Sequence, residues 1–126
     1  MNKAIEYVKN YVSKKEYEIL GEDENHMTIW YQLNNVFIFF HKEEEDFVTV
    51  MMSNFDEVTE ENFSEIIMRC HDLNEQLMQV KFYTINNNVV VSSEFYFLEE
   101  KDLEFQFEKA LEGLVNGKVQ YLSMEQ

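Results

Sequence analysis

The chain has 126 residues, 45% of them hydrophobic and 15% aromatic, and carries a net charge of −15. A chain of this size buries about two-thirds of the surface it exposes when unfolded, so one filled core spanning residues 1–126 is expected rather than disorder. The surplus of acid repels phosphate backbones and anionic lipid heads, which sets nucleic acid and membranes aside as partners.

Residues 2–13 are predicted to be helical. Ala4, Ile5, Val8, Tyr11 and Val12 fall at three- and four-residue spacing and form one apolar stripe. Residues 1–15 hold Lys3, Lys9, Lys14 and Lys15 against Glu6 alone, so the rest of the chain is more acidic than the total. This stretch lacks the apolar run of about 7–15 residues that a signal peptide requires. The longest apolar run in the chain, residues 36–40, is far short of the roughly 20 that span a bilayer. A cytoplasmic location is therefore expected.

Residues 16–20 offer a possible short strand before Gly21. In residues 27–33 the side chains alternate, with Met27, Ile29, Tyr31 and Leu33 on one face and Thr28, Trp30 and Gln32 on the other. Asn34-Asn35 is read as a two-residue hairpin link, because asparagine tolerates positive φ. Strands at 36–41 and 47–53 follow, joined by an acidic turn at 42–46. A helix then begins after Asp56 or Thr59, whose side chains can cap free N–H groups. Its buried stripe is Phe63, Ile66, Ile67, Cys70, Leu73 and Leu77. A second hairpin pairs 80–85 with 89–97 across Asn86–Asn88. The last helix is predicted over 99–115, with Gly117 as its stop and 118–126 either packed through Val119, Tyr121 and Leu122 or frayed.

The order α-β-β-β-α-β-β-α, with the possible extra strand at 16–20, argues for an α+β fold. Its antiparallel sheet would have four to five strands with helices packed on it.

Cys70-His71-Asp72-Leu73-Asn74-Glu75-Gln76-Leu77 ends the central helix and runs into the strand Lys81-Phe82-Tyr83. The polar turn Asn86–Asn88, the strand Val89-Val90-Val91 and a closing helix come next. This succession resembles the YbjN-type domain family over about residues 63–97, and the order of elements matches over most of the chain. An all-asparagine turn departs from the family, where acids and glycine are common. Members are described as sensory-transduction regulators, and their fold is similar to that of type III secretion chaperones. Those are small, acidic, dimeric proteins that hold extended stretches of client. The resemblance implies a fold and a binding mode, and it carries no catalytic residues over.

The residues themselves supply little chemical equipment. Cys70 is the sole cysteine, which excludes an internal disulfide and a multi-cysteine metal site. Its place on the apolar stripe makes it a small buried hydrophobe in a reducing compartment. Of His26, His41 and His71, only His41 lies beside a run of acids, Glu43–Glu45, and no HxH or HExxH pair is present. His71 and Glu75 form an i,i+4 surface pair. The serines lack a GxSxG elbow, and Gly21, Gly113 and Gly117 build no phosphate loop. Neither an enzyme nor a cofactor or metal is expected.

The strands carry large apolar groups on both faces, since Trp30 opposes Ile29 and Tyr31, and Phe37 and Phe39 oppose Val36, Ile38 and Phe40. Either helices cover both faces, or an apolar strip is left exposed as an interface. On the second reading Trp30, Phe37, Phe39, Tyr83 and Tyr96 are the candidate protein-binding anchors. The function expected is a non-catalytic, homodimeric domain that holds a partner segment on its sheet face or edge, the acid favouring basic clients. The alternatives are a dedicated secretion or effector chaperone, and a sensor that takes a small ligand in an aromatic cavity.

Overall fold

The computed structural model describes residues 2–124. Helix α1 (Lys3–Lys15) starts where the Asn2 side chain accepts the Ile5 N–H at 3.1 Å, and ends with Glu16 in the left-handed region at φ 59°. Four strands follow: β1 (Glu18–Glu22), β2 (His26–Tyr31), β3 (Asn34–His41) and β4 (Glu44–Met52). Helix α2 (Phe63–Gln76), strands β5 (Lys81–Ile85) and β6 (Asn88–Tyr96), and helix α3 (Glu100–Ser123) complete the order. The possible strand at 16–20 is thus real, shifted to Glu18–Glu22, and the sheet has six strands in the order β1-β2-β3-β4-β6-β5. Every pairing is antiparallel. No helix among the described residues is long and apolar enough to cross a membrane.

Cross-strand pairing fixes which side chains share a face. Met27, Ile38 and Val50 stand in one row with Ser93, and Ile29, Val36, Met52, Val91 and Phe82 occupy the neighbouring rows. All the apolar members of this set join the buried stripes of the three helices in a single core, including Val8 and Val12 of α1, Ile66 and Leu73 of α2, and Phe107 and Leu111 of α3. The helices therefore lie on one side of the sheet.

Five local expectations are corrected. The first hairpin turns at Gln32-Leu33, with φ 47° and 67°, not at Asn34-Asn35. Both positive angles suit the twist of a two-residue hairpin, and Asn34 supports them from outside by donating its amide to the Gln32 carbonyl at 2.8 Å. Leu33, expected on the core face, is 83% exposed at the tip. Neither Asp56 nor Thr59 caps α2: Thr59 and Asn62 bond each other's backbone N–H ahead of the helix, while Asp56 turns to Tyr121. Phe63 and Ile67 are exposed, leaving Ile66, Cys70 and Leu73 as the buried stripe with Leu77 packed at its edge. Finally, α3 does not stop at Gly117. A Cβ there would sit 3.1 Å from the Phe82 ring, so glycine lets the helix pass close over β5. The added turns bring Tyr121 into the core, fully buried.

The outer edge of β5 is closed by one side chain. Asn74 of α2 accepts the Phe82 N–H at 2.7 Å and donates to the Phe82 carbonyl at 3.0 Å, standing in for a further strand. Asn74 and Phe82 belong to the two segments, 70–77 and 81–83, on which the resemblance was drawn. Asn74→Ala is expected to cost about 1–3 kcal/mol, two hydrogen bonds at roughly 0.5–1.5 each. Denaturant unfolding and amide exchange at Phe82 check this, and unchanged protection of that amide would count against it.

Tyr11, Tyr17 and Tyr31 gather where α1, β1 and β2 meet α3. The Tyr11 and Tyr17 hydroxyls both donate to the Glu108 carboxylate, the second at 3.1 Å, and the Tyr17 and Tyr31 rings meet edge to face. Burial, then the negative Glu108, raises all three phenols above their ordinary value. Tyr121 is raised by burial and by its bond to Asp56. A raised phenol binds its proton more tightly in the folded state, so its contribution is whole below about pH 10 and is lost as the pH climbs beyond. In an alkaline titration these four tyrosines are expected to ionise only together with loss of the circular dichroism signal. Ionisation of all seven while that signal holds would contradict the arrangement.

Candidate functional site

Among the described residues, no helix lies on the second face of the sheet. Row by row it presents His26, Phe39, Thr49 and Glu94, then Thr28, Phe37, Met51, Ser92 and Lys81, with Trp30 and Tyr83 at one end and Phe47 and Tyr96 at the other. All five candidate anchors thus share this face. Trp30 is 41% and Tyr96 58% exposed, while Phe37, Phe39 and Tyr83 are half-buried among their neighbours.

The anchors do not form one cluster. Trp30 and Phe37 line the same pocket, and Phe39 lies one row on, its ring 5.6 Å from that of His26. Tyr96 stacks obliquely on Phe47 at 4.6 Å, and Phe47 in turn on His41 at 5.0 Å. Tyr83 stands on β5 beneath the Lys81 ammonium, 5.6 Å from its ring centre.

A polar line separates the aromatic groups. Lys81 donates to Glu94 at 3.2 Å, and the Thr49 hydroxyl donates to the other Glu94 oxygen at 3.1 Å. With its proton so placed, the Thr49 oxygen accepts from His41 Nε2 at 2.9 Å. His41 is therefore engaged with Thr49 rather than with the neighbouring acids Glu43–Glu45, of which Glu44 and Glu45 already belong to β4. The Ser92 hydroxyl, buried within this face, has no hydrogen-bond partner among the described residues.

His26, His41, Phe47 and Met51 belong to the face but escaped the sequence reading. In β4 the alternate sets Phe47, Thr49, Met51 and Val48, Val50, Met52 are both mostly apolar, so periodicity does not say which is outward. The sequence offers the two histidines no metal-ligand pattern and no other role, whereas each is packed against phenylalanine.

Elsewhere, Cys70 is buried as expected and its thiol is pushed up by burial. His71 meets Glu75 at 3.7 Å on the exposed side of α2. With Asp72 these residues can bring ligand atoms within 4.8 Å of one another, the one such group among the described residues. A surface pocket of about 540 Å³ lies beside Phe63 and Asn87 and opens to solvent.

A solved structure of YbjN from E. coli, described as a proposed transcription regulator, superposes with a TM-score of 0.76 over 99% of this chain and 96% of its own, at 7% identity. The fold is of the YbjN type. An uncharacterized protein from Methanothermobacter thermautotrophicus shares it, with a TM-score of 0.70 over 96% of this chain and 95% of its own, at 15% identity. No protein-family model matches the sequence, and no curated protein matches it. Identities this low transfer the YbjN-type architecture alone.

Proposed function

We propose that this chain is a non-catalytic protein-binding domain, acting as a homodimer, that holds a partner segment on the uncovered face of its sheet. The observation that carries the reading is the gathering of Trp30, Phe37, Phe39, Tyr83 and Tyr96 on a face that no helix covers. Large aromatic groups with few rotatable bonds are the usual anchors of protein interfaces. The face itself is nearly neutral, with Glu94 matched by Lys81, while the surrounding body carries the charge of −15. That combination favours a segment with apolar side chains in the middle and basic ones at its flanks. Phe63, Ile67 and Met68 on the outward side of α2 leave a separate apolar surface for the second copy.

The sheet edges support face-on docking. Asn74 closes β5, and β1 at the other edge is short, bulged at Ile19/Gly21 and bracketed by Glu18 and Glu22. The test is capture of a partner from the native host by the wild-type chain and by a Trp30→Ala, Tyr96→Ala double variant of unchanged circular dichroism. Equal capture by both sinks the proposed face, and a strict monomer in light scattering at raised salt sinks the dimer.

A further inference from the structure

Where the uncovered face reaches its rim, a pocket of about 250 Å³ opens between the β2–β3 turn, the end of β4 and α3. Trp30 and Phe37 supply aromatic walls, Asn35 and Asn54 supply amides, and Lys118 supplies a cation. In a chain with 25 acids, no carboxylate of the described residues lines it. The other four pockets described each include at least one aspartate or glutamate. The cation is held in place: Lys118 Nζ donates to Asn34 Oδ1 at 2.8 Å, and the same amide donates to the Gln32 carbonyl at 2.8 Å. An ammonium has three N–H donors, and the neutral Asn34 takes one of them.

Apolar walls and a positioned cation within so small a volume ask for an apolar group and an anion on one residue. An aspartate or glutamate side chain would meet Lys118 and leave both rings bare, and a leucine within a chain would do the reverse. The C-terminal residue of a polypeptide carries both. We infer that this rim pocket receives the C-terminal residue of the partner, its side chain against Trp30 and Phe37 and its carboxylate on Lys118. The inference rests on the proposal that the sheet face docks a protein segment, and it adds which end of that segment is read. Screening confines the repulsion of the acidic body to about 8 Å at physiological salt, so the local ammonium governs the site.

The chain has one tryptophan, and it is in this pocket, so its fluorescence reports occupancy directly. The probes are N-acetyl-Ala-Ala-Leu and N-acetyl-Ala-Ala-Phe, each as free acid and as C-terminal amide, with 3-phenylpropionate as a small-molecule control. The free acids are expected to bind about tenfold or more tighter than the amides and to shift the amide resonances of Asn35 and Asn54. Lys118→Met should abolish the acid preference, and Lys118→Arg should keep it. Should Lys118→Met fail to fold, the acid-against-amide comparison on the wild-type chain decides alone. Equal binding of acid and amide, or no response to any peptide at millimolar concentration, overturns the inference. Binding of 3-phenylpropionate as tight as that of the peptides overturns its assignment to a chain terminus. If Lys118→Met still captures the partner through a Trp30-dependent contact, the pocket inference fails while the docking face stands.

Discussion

Arg69→Met is expected to cost the fold about 3–5 kcal/mol, the loss typical when one partner of a buried ion pair is removed. Arg69 is 8% exposed on the inward side of α2. Its guanidinium lies 3.6 Å from Asp56 and 2.8 Å from Glu65, and its centre is 4.9 Å from the Tyr121 ring centroid. Tyr121 returns to the same carboxylate, its hydroxyl donating to Asp56 at 2.7 Å. One carboxylate thus ties the segment before α2, the helix α2 itself and the last turns of α3. Deleting the guanidinium leaves Asp56 partly buried beside Tyr121 without that cation, and the ring loses its cation–π partner. Tyr121→Phe keeps the ring and should cost only about 1–2 kcal/mol. Because both changes act on Asp56, the double variant should depart from additivity by roughly 0.5–3 kcal/mol. Denaturant unfolding of the four proteins measures this. A loss below about 1 kcal/mol in Arg69→Met would show that the cation is not what holds the end of α3.

That junction also marks where sequence reasoning ran out. Gly117 reads as a helix stop when only the chain is in view, since glycine suits the residue after a last turn. It serves instead as a clearance for Phe82, which belongs to a strand some 35 residues earlier, and nothing local in the sequence signals that contact. The hairpins teach a related lesson. In both, the residue after the two-residue turn is an asparagine that donates back to the carbonyl two positions earlier: Asn34 to Gln32 and Asn88 to Asn86. At Asn86-Asn87 the turn residues are themselves asparagines and the turn was legible. At Gln32-Leu33 they are poor turn formers, and the supporting asparagine was mistaken for the turn. The slip was of two residues, an even number, so the assignment of strand faces survived. For that reason the five anchors could be placed together on one face, although whether helices covered that face depends on how α1 and α3 pack, which alternation does not encode.

The second large expected effect is on docking. Trp30→Ala alone should weaken partner binding about 30-fold or more, the equivalent of the roughly 2 kcal/mol that defines an anchor residue. The indole is the largest side chain on the face, already held at one wall of a pocket, so little conformational freedom remains to be lost when a partner covers it. Tyr96→Ala removes a ring on β6, three strands from the β2 strand of Trp30, that rests on Phe47 at the opposite end of the face. Two sites so far apart with no shared contact should add, giving a loss of about a thousandfold if one segment spans the face. If instead the partner seats only on the β2–β3 side, Tyr96→Ala will be nearly neutral and the footprint contracts to Trp30, Phe37 and Phe39. Neither change touches the helix-covered core, so melting temperatures should stay within a few degrees of wild type. A basic flank on the partner adds a salt dependence: affinity should fall as ionic strength rises, whereas the contribution of Trp30 should not. Isothermal titration of the four proteins at two salt concentrations separates these terms. An affinity insensitive to both salt and Trp30 would remove the sheet face as the docking surface.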